Sequence, residues 1–422
     1  MQNRSGNYRI EYRRMIIIWW NKYQTDISEH IKLKSRTDTL SNEIEVKLMA
    51  EPLPGSEAVD AEMIKRHISA VLNAKGAFIL KSSEKTLNNS YYDTENQDLY
   101  RSGIALRVRV TNSYVEATVK TRRQSTGGIH IHPEYNVDLT AKPDVPRLDL
   151  FPEEIFSGLD RDFLQSHIYE NMAQSCIRQI WLVQYRGGEV EISYDRVTYK
   201  TAAGCDVSSQ EIELELKEGT TEILKELTEK LIDGIYEENL LSLRLESLSK
   251  MHRAAVYAGI SSLEVPKTCE LMPVPVIDEK MMLDAGAMEN TLKNIRHNLS
   301  LMGRALSIFY LGEYGRTDKT ALDAYCFIRE AVRQMADVPL NLLAVLENRS
   351  GLCMATVGLL QSIAGEYAYS GMSRSHDNDG NTLDEKESVM AAEATLTHMF
   401  TSKELLRQLL EFNFNGLKDE KL

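Results

Sequence analysis

The stretch Glu43-Ile44-Glu45-Val46-Lys47-Leu48 alternates charged and apolar residues, the two-residue period of a β-strand whose faces meet different surroundings. Glu43, Glu45 and Lys47 share one face, while Ile44, Val46 and Leu48 share the other and point to a core. Two carboxylates beside a lysine suit a surface that holds a divalent cation together with a polyanion. A solvated sheet edge has the same look when it stands alone. The test is whether the pattern returns with complementary charge.

It returns several times. In Gly103 to Val110, Arg107 and Arg109 share a face opposite Leu106, Val108 and Val110. After the turn Thr111-Asn112-Ser113, the run Tyr114 to Arg122 puts Glu116, Thr118, Lys120 and Arg122 on one face. The two runs read as a hairpin with basic groups converging from both arms. Gly127-Gly128 is a break, and His130 to Asp138 alternates again. A second hairpin, Cys176 to Tyr185 and Glu189 to Asp195 about Arg186-Gly187-Gly188, brings Arg178 toward Glu191 and Asp195. In Glu211-Ile212-Glu213-Leu214-Glu215-Leu216 the glutamates share one face. Like charges two residues apart repel, so they need nearby cations or full solvation.

Helical spacing covers Glu57 to Asn73, with Ala58, Met63, Ile64, Ile68, Val71 and Leu72 as its apolar stripe, and again residues 220–235. Residues 142–170 form a connection with a short helix, and Ser247 to Arg253 closes the segment. The region 43–253 is therefore an α+β unit: an antiparallel barrel that turns its charged faces inward, with helices over the apolar outside. Its lumen would hold Glu43, Glu45, Glu211, Glu213 and Glu215 together with Lys47, Arg107, Arg109, Lys120, Arg178 and Lys250. That mixture suits a short phosphate chain complexed with Mg²⁺ or Mn²⁺.

Composition narrows the choice. With 422 residues there is room for two domains, each with its own core. A net charge of −13 gives no general affinity for nucleic acid or anionic lipid. The five cysteines are odd in number, widely spaced and free of any CxxC, the pattern of reduced cytosolic thiols. Met15 to Trp20 is too short to span a bilayer. The chain reads as soluble and cytoplasmic, with residues 1–41 an extension that carries no nameable chemistry.

The motifs resemble those of the CYTH superfamily, the triphosphate tunnel metalloenzymes. Its ExExK signature stands as Glu43-Ile44-Glu45-Val46-Lys47, its tyrosine motif as Tyr91-Tyr92-Asp93-Thr94, LRxR as Leu106 to Arg109, and TxK as Thr118 to Lys120. Thr126 to His130 and Pro133 to Val137 resemble the bacterial inorganic triphosphatases that carry a C-terminal helical CHAD domain. Glu211 to Leu216, then Ser247 to Lys250 with Arg253, complete the family's order over residues 42–260. The resemblance implies an eight-stranded antiparallel tunnel that hydrolyses tripolyphosphate to pyrophosphate and phosphate with Mg²⁺ or Mn²⁺. It assigns Glu43, Glu45 and Lys47 to catalysis, and Glu43, Glu45, Glu211, Glu213 and Glu215 to metal. It gives Lys47, Arg107, Arg109, Lys120, Arg178, Lys250 and Arg253 to phosphate oxygens. Three positions depart from the pattern: His132 stands for an arginine, Arg196-Val197 for a turn with glycine, and Ala254 for a glycine.

Residues 261–277 are a Pro-rich linker. Beyond it helices are expected over Leu292 to Tyr310, Lys319 to Met335, Leu340 to Glu366 and 385–413, with a polar loop from Ser373 to Asp384. This 278–422 region resembles a shortened CHAD domain through Ile295 to Leu301, which implies binding of long-chain polyphosphate. His297 within it reads as a packed or capping residue. Two rival readings keep the tunnel. One changes the substrate to thiamine or nucleoside triphosphate, or to cyclisation of ATP; the other is a non-catalytic polyphosphate- or nucleotide-binding module. Retention of both Glu43 and Glu45 argues against the second, because anion binding alone gains nothing from carboxylates.

Overall fold

The computed structural model describes residues 41–53, 60–121, 124–239, 241–275, 285–312, 314–336, 359–367 and 385–417. The expectations for the N-terminal extension, for Arg122, for a helix over 340–358 and for the 373–384 loop fall outside the described residues.

The strands are β1 (Ser41–Pro52), β2 (Phe78–Asp93), β3 (Ile104–Val110), β4 (Val115–Thr121), β5 (Gln124–Thr126), β6 (Ile129–Leu139), β7 (Tyr169–Tyr185), β8 (Gly188–Lys200), β9 (Asp206–Glu218) and β10 (Leu241–Leu245). They pair in the order β1-β9-β8-β7-β2-β3-β4-β6, and β6 pairs back with β1, so eight antiparallel strands close into a barrel. The expected eight-stranded tunnel is present. β5 and β10 lie outside the ring: β5 pairs with β6, and β10 pairs with β1 over Leu48 to Pro52. β10 went unassigned in the sequence although Leu241-Ser242-Leu243-Arg244-Leu245 alternates apolar and polar residues; at five residues it is short, and all of it is buried, including Ser242 and Arg244.

Register turns the charges inward. Glu43 lies opposite His132, Lys47 opposite Glu213, Arg178 opposite Asp195, and Lys120 opposite Glu134; directly opposed residues share a face. Ile44, Val46 and Leu48 face outward and are buried beneath α1 (Ala61–Ala74) and α4 (Thr221–Glu237) in one apolar cluster. Burying each such side chain is worth about 1.5–3 kcal/mol. A one-residue slip would set Glu43, Glu45 and Lys47 against those helices instead, which is what fixes the pairing. The short helices α2 (Asp98–Arg101) and α3 (Arg161–His167) lie in connections.

One end of the barrel is plugged. Leu87, Cys176, Val197 and Tyr199 pack with Leu248, Ala254, Val256 and Tyr257, the last three from α5 (Lys250–Tyr257). Ser249 caps this helix by accepting from the His252 N–H at 3.2 Å. Lys250 is thus the first residue of a helix aimed at the lumen, and not part of a strand.

The C-terminal helices are α6 (Ala285–Phe309), α7 (Asp318–Ala336), a helical stretch over 359–367, α8 (Glu385–Phe400) and α9 (Lys403–Leu417). Their apolar faces join the outer wall of the barrel in one continuous core, which runs from Ile44 to Leu417. Asn413 of α9 donates to the Gly127 carbonyl at 3.0 Å, and a Cβ on Gly128 would come within 2.7 Å of Leu245. The paired glycines therefore serve close approach, at φ values of +52° and +87° that other residues rarely adopt. The Pro-rich segment is strapped to α6. Asn298 bonds both polar backbone groups of Met272, and His297 Nε2 lies 2.9 Å from the Glu270 carbonyl. Cys176, Cys205, Cys269 and Cys326 are free thiols, and no described helix is long and apolar enough to cross a membrane.

Candidate active site

The lumen is charged in two layers of different exposure. Nearer the open mouth, Lys120 pairs with Glu43 and, at 2.9 Å, with Glu134. Arg107 donates to Thr118 Oγ1 at 2.9 Å and lies 3.6 Å from Glu116 and 3.8 Å from Glu134. Lys217 meets Glu215 at 2.5 Å. Side-chain exposure falls from 37% at Lys217 and 27% at Lys120 to 4% at Lys47 and 0% at Asp195. The site therefore deepens toward the plug.

At the floor, Lys47 bridges Glu45 (3.2 Å) and Glu213 (2.5 Å). Arg178 holds both oxygens of Asp195, at 2.7 and 2.5 Å, and reaches Glu213 at 2.6 Å. The Lys250 ammonium sits among Asp195, Glu211 and Glu213 at 2.9, 2.8 and 2.7 Å. Arg253 is fully committed: Nε donates to the Tyr199 hydroxyl (3.0 Å), Nη1 to the Leu248 carbonyl (3.2 Å), and Nη2 to Glu211 (2.8 Å). It lies beneath the lumen floor.

Arg109 differs from every other lumen cation. Its Nε donates to Asn89 Oδ1 at 2.9 Å, and among the described residues no carboxylate lies in ion-pair range. Burial, then the like charges of Arg107 and Arg178, push its pKa down. A half-buried guanidinium with no carboxylate in ion-pair range, Glu116 opposite it acting only at a distance, is poised for an anion.

The carboxylates divide the same way. Burial raises Glu43 well above the ordinary glutamate range against the pull of Lys120, and raises Glu215 despite Lys217. Burial works in the same sense on Glu45, Glu213 and Asp195, but their cations prevail. Lys47 holds Glu45 low, Lys250 and Lys47 hold Glu213 low, and Arg178 and Lys250 hold Asp195 low. Oxygens of Asp195, Glu211 and Glu213 come within 4.8 Å of one another, a donor set suited to a hard divalent cation. Lys250 already occupies the middle of that set, and Arg178, Arg253 and Lys47 also touch it. A divalent ion there would meet four protein cations. Glu43 and Glu215, half-buried and each paired with a single lysine, fit a metal better in charge.

All of the expected site residues except Arg253 thus border the charged lumen, and Arg253 supports it from below. The sequence placed Asp195 opposite Arg178, where it stands, but assigned no role to Glu134, Asn89, Lys217 or Glu246. Continued alternation could have found two of these: Glu134 follows His130 and His132 on one face, and Lys217 follows Glu215. Of the departures, His132 lies in the lumen 3.5 Å from Glu45. Arg196 lies 3.8 Å from Glu84, away from the floor, and Ala254 is packed in the plug.

A closed antiparallel tunnel lined by alternating Glu, Lys and Arg is the architecture of one family, and the chain belongs to it: the CYTH domain profile matches residues 42–255. The chain is similar to the inorganic triphosphatase of Haemophilus influenzae, 28% identical over 190 residues, which span 45% of this chain and 49% of that protein. It thus spans about half the length of that relative. Among solved structures it is similar to an adenylyl cyclase candidate from Hippeastrum with a dominant triphosphatase activity (20% identity, TM-score 0.37, 51% of this chain and 96% of that one). It is also similar to the S. pombe RNA triphosphatase Pct1 (12% identity, TM-score 0.25, 52% and 85%).

Proposed function

We propose that this protein is a cytoplasmic, divalent-metal-dependent triphosphatase that cleaves inorganic tripolyphosphate to pyrophosphate and phosphate inside the tunnel. The observation that carries the reading is the convergence of Arg107, Arg109 and Arg178 on one lumen, with Arg109 making no ion pair among the described residues. The inorganic triphosphatase of Haemophilus influenzae supports the choice of substrate.

Lys47, Arg107, Arg109, Lys120, Arg178 and Lys250 hold phosphate oxygens, and the narrow lumen aligns the chain. Positioning and charge neutralisation are what phosphoryl transfer chiefly requires. Glu43 and Glu215, with Glu45 beside them, would hold Mg²⁺ or Mn²⁺, which neutralises phosphate charge when bound, while Glu213 is already held by Lys47, Arg178 and Lys250. Glu211 serves instead to anchor Lys250 and Arg253. Water adds across the terminal P–O–P bond, and pyrophosphate leaves. Phosphate release from tripolyphosphate, ATP and thiamine triphosphate, each with Mg²⁺, Mn²⁺ or EDTA, tests the reading. Metal-dependent release fastest on tripolyphosphate is expected. Faster release from an organic triphosphate would move the assignment to that substrate, and no release on any would leave a binding module.

Arg109 gives a sharper prediction. Arg109→Met relieves repulsion with Arg107 and Arg178 but takes the donor from the buried Asn89 Oδ1, so the two effects oppose and the urea midpoint should change little. Loss of charge-assisted bonds, at about 1.5–3 kcal/mol, should weaken tripolyphosphate binding by about 10–100-fold. Unchanged affinity would remove Arg109 from the site.

A further inference from the structure

α6 meets the barrel at a turn. Gly303 lies so close to Ser247 that a Cβ there would stand 2.6 Å from the serine Oγ. One helical turn on, Ser307 donates to Glu246 Oε1 at 2.5 Å and accepts from the Ser247 N–H at 3.3 Å. Glu246 is only 1% exposed and joins three structures. Its N–H donates to the Lys47 carbonyl (3.0 Å), its carbonyl meets His130 Nε2 (2.8 Å), and Oε1 accepts from the Leu248 N–H (2.7 Å). Its other oxygen lies 3.3 Å from Arg244 and 3.4 Å from Arg253. Arg253 passes the connection to Glu211, and Glu211 to Lys250, each at 2.8 Å.

We infer that α6 positions Lys250, so that the helical region sets the tunnel's grip on a phosphate chain through Ser307 and the 246–249 turn. The inference rests on the phosphate role proposed for Lys250. Where α5 begins decides where the Lys250 ammonium lies among its carboxylates, and α5 begins at the end of this turn. The turn is held by β1 on one side, through Lys47, and by Ser307 and Gly303 on the other. Without the Ser307 hydroxyl, Glu246 draws more strongly on Arg253. Arg253 then loosens from Glu211, and Glu211 takes a larger share of Lys250. The ammonium moves toward the floor and away from the lumen. Ser307 touches no substrate; it is a positioning residue.

Calorimetric titration of full-length protein with tripolyphosphate in EDTA tests this. Ser307→Ala should weaken binding by about three- to tenfold, the worth of one buried hydrogen bond. Ser307→Thr, which keeps the hydroxyl, should restore it. Gly303→Ala should weaken binding by pressing on Ser247, and adding Ser247→Ala should relieve that, as a contact pair requires. Arg407→Ala, which removes a contact to Asp233 at the same junction without touching the turn, should bind as wild type. Wild-type affinity in Ser307→Ala, or an equal loss in Arg407→Ala, overturns the inference. Turnover does not enter this readout. A wild-type protein that binds tripolyphosphate but does not cleave it when Mg²⁺ or Mn²⁺ is supplied would sink the triphosphatase reading and leave the comparison intact; one that binds none with or without metal overturns both.

Discussion

Glu45→Gln is expected to lower the rate of phosphate release by about 100–1,000-fold, the usual loss when one preorganised charged group is taken from a reacting centre. The fold should survive. Lys47 retains Glu213 at 2.5 Å, and the glutamine oxygen still accepts from the same ammonium. No buried charge is stranded, so the variant should stay folded with only a modest drop in its urea midpoint, from the lost attraction to Lys47, while turnover collapses. The glutamine does lose the negative charge that Lys47 keeps in place well below the ordinary carboxylate range. That charge is what would hold a divalent cation beside the phosphates. A variant that turns over at the wild-type rate would end the catalytic assignment of the β1 carboxylates.

Arg253→Met is expected to act in the opposite way, costing about 3–5 kcal/mol of stability. Removing this guanidinium takes a cation from Glu211 and from Glu246, which are 0% and 1% exposed, and leaves the Tyr199 hydroxyl without its donor. Lys250 and Arg244 remain as partners and place the loss at the lower end of that range. The effect should also depend on pH. Burial favours the neutral form of Glu246, but Arg253 and Arg244 hold its pKa below the ordinary value. A depressed carboxylate stabilises the fold fully above its unfolded pKa of about 4.3 and loses that contribution as pH falls through the native value. The gap between wild type and variant should therefore be widest near neutral pH and narrow in acid, as urea midpoints across that range would show. A variant of wild-type stability with only a raised KM would return Arg253 to the phosphate contacts.

The sequence alone determined the barrel, because alternation is a local property. Glu43, Glu45 and Lys47 fall on one face, and Arg107 with Arg109 on another, whatever the rest of the chain does. Complementary charge on successive strands then requires the charged faces to meet. The order of the CYTH motifs was legible for the same reason, as was the inward direction of Arg178 and of the Glu211, Glu213 and Glu215 row.

Only the tertiary structure decided which charges remain available. Lys250 and Arg253 lie three residues apart in sequence, yet one faces the lumen and the other is spent on Glu211, Tyr199 and Leu248 beneath it. Helix geometry and the packing of the plug separate them. Asp195 and Glu213 come from different strands and meet only through register, and Arg109 is distinguished by making no ion pair among the described residues although Glu116 stands opposite it, which no motif encodes. Gly127, Gly128, Gly303 and Ser307 carry no chemical signature of their own. Their meaning lies in how closely the helices approach the barrel, a distance set by long-range packing. Local pattern fixes which way a side chain points; the partner it finds there comes from elsewhere in the chain, 17 residues away for Arg178 and 286 for Asn413.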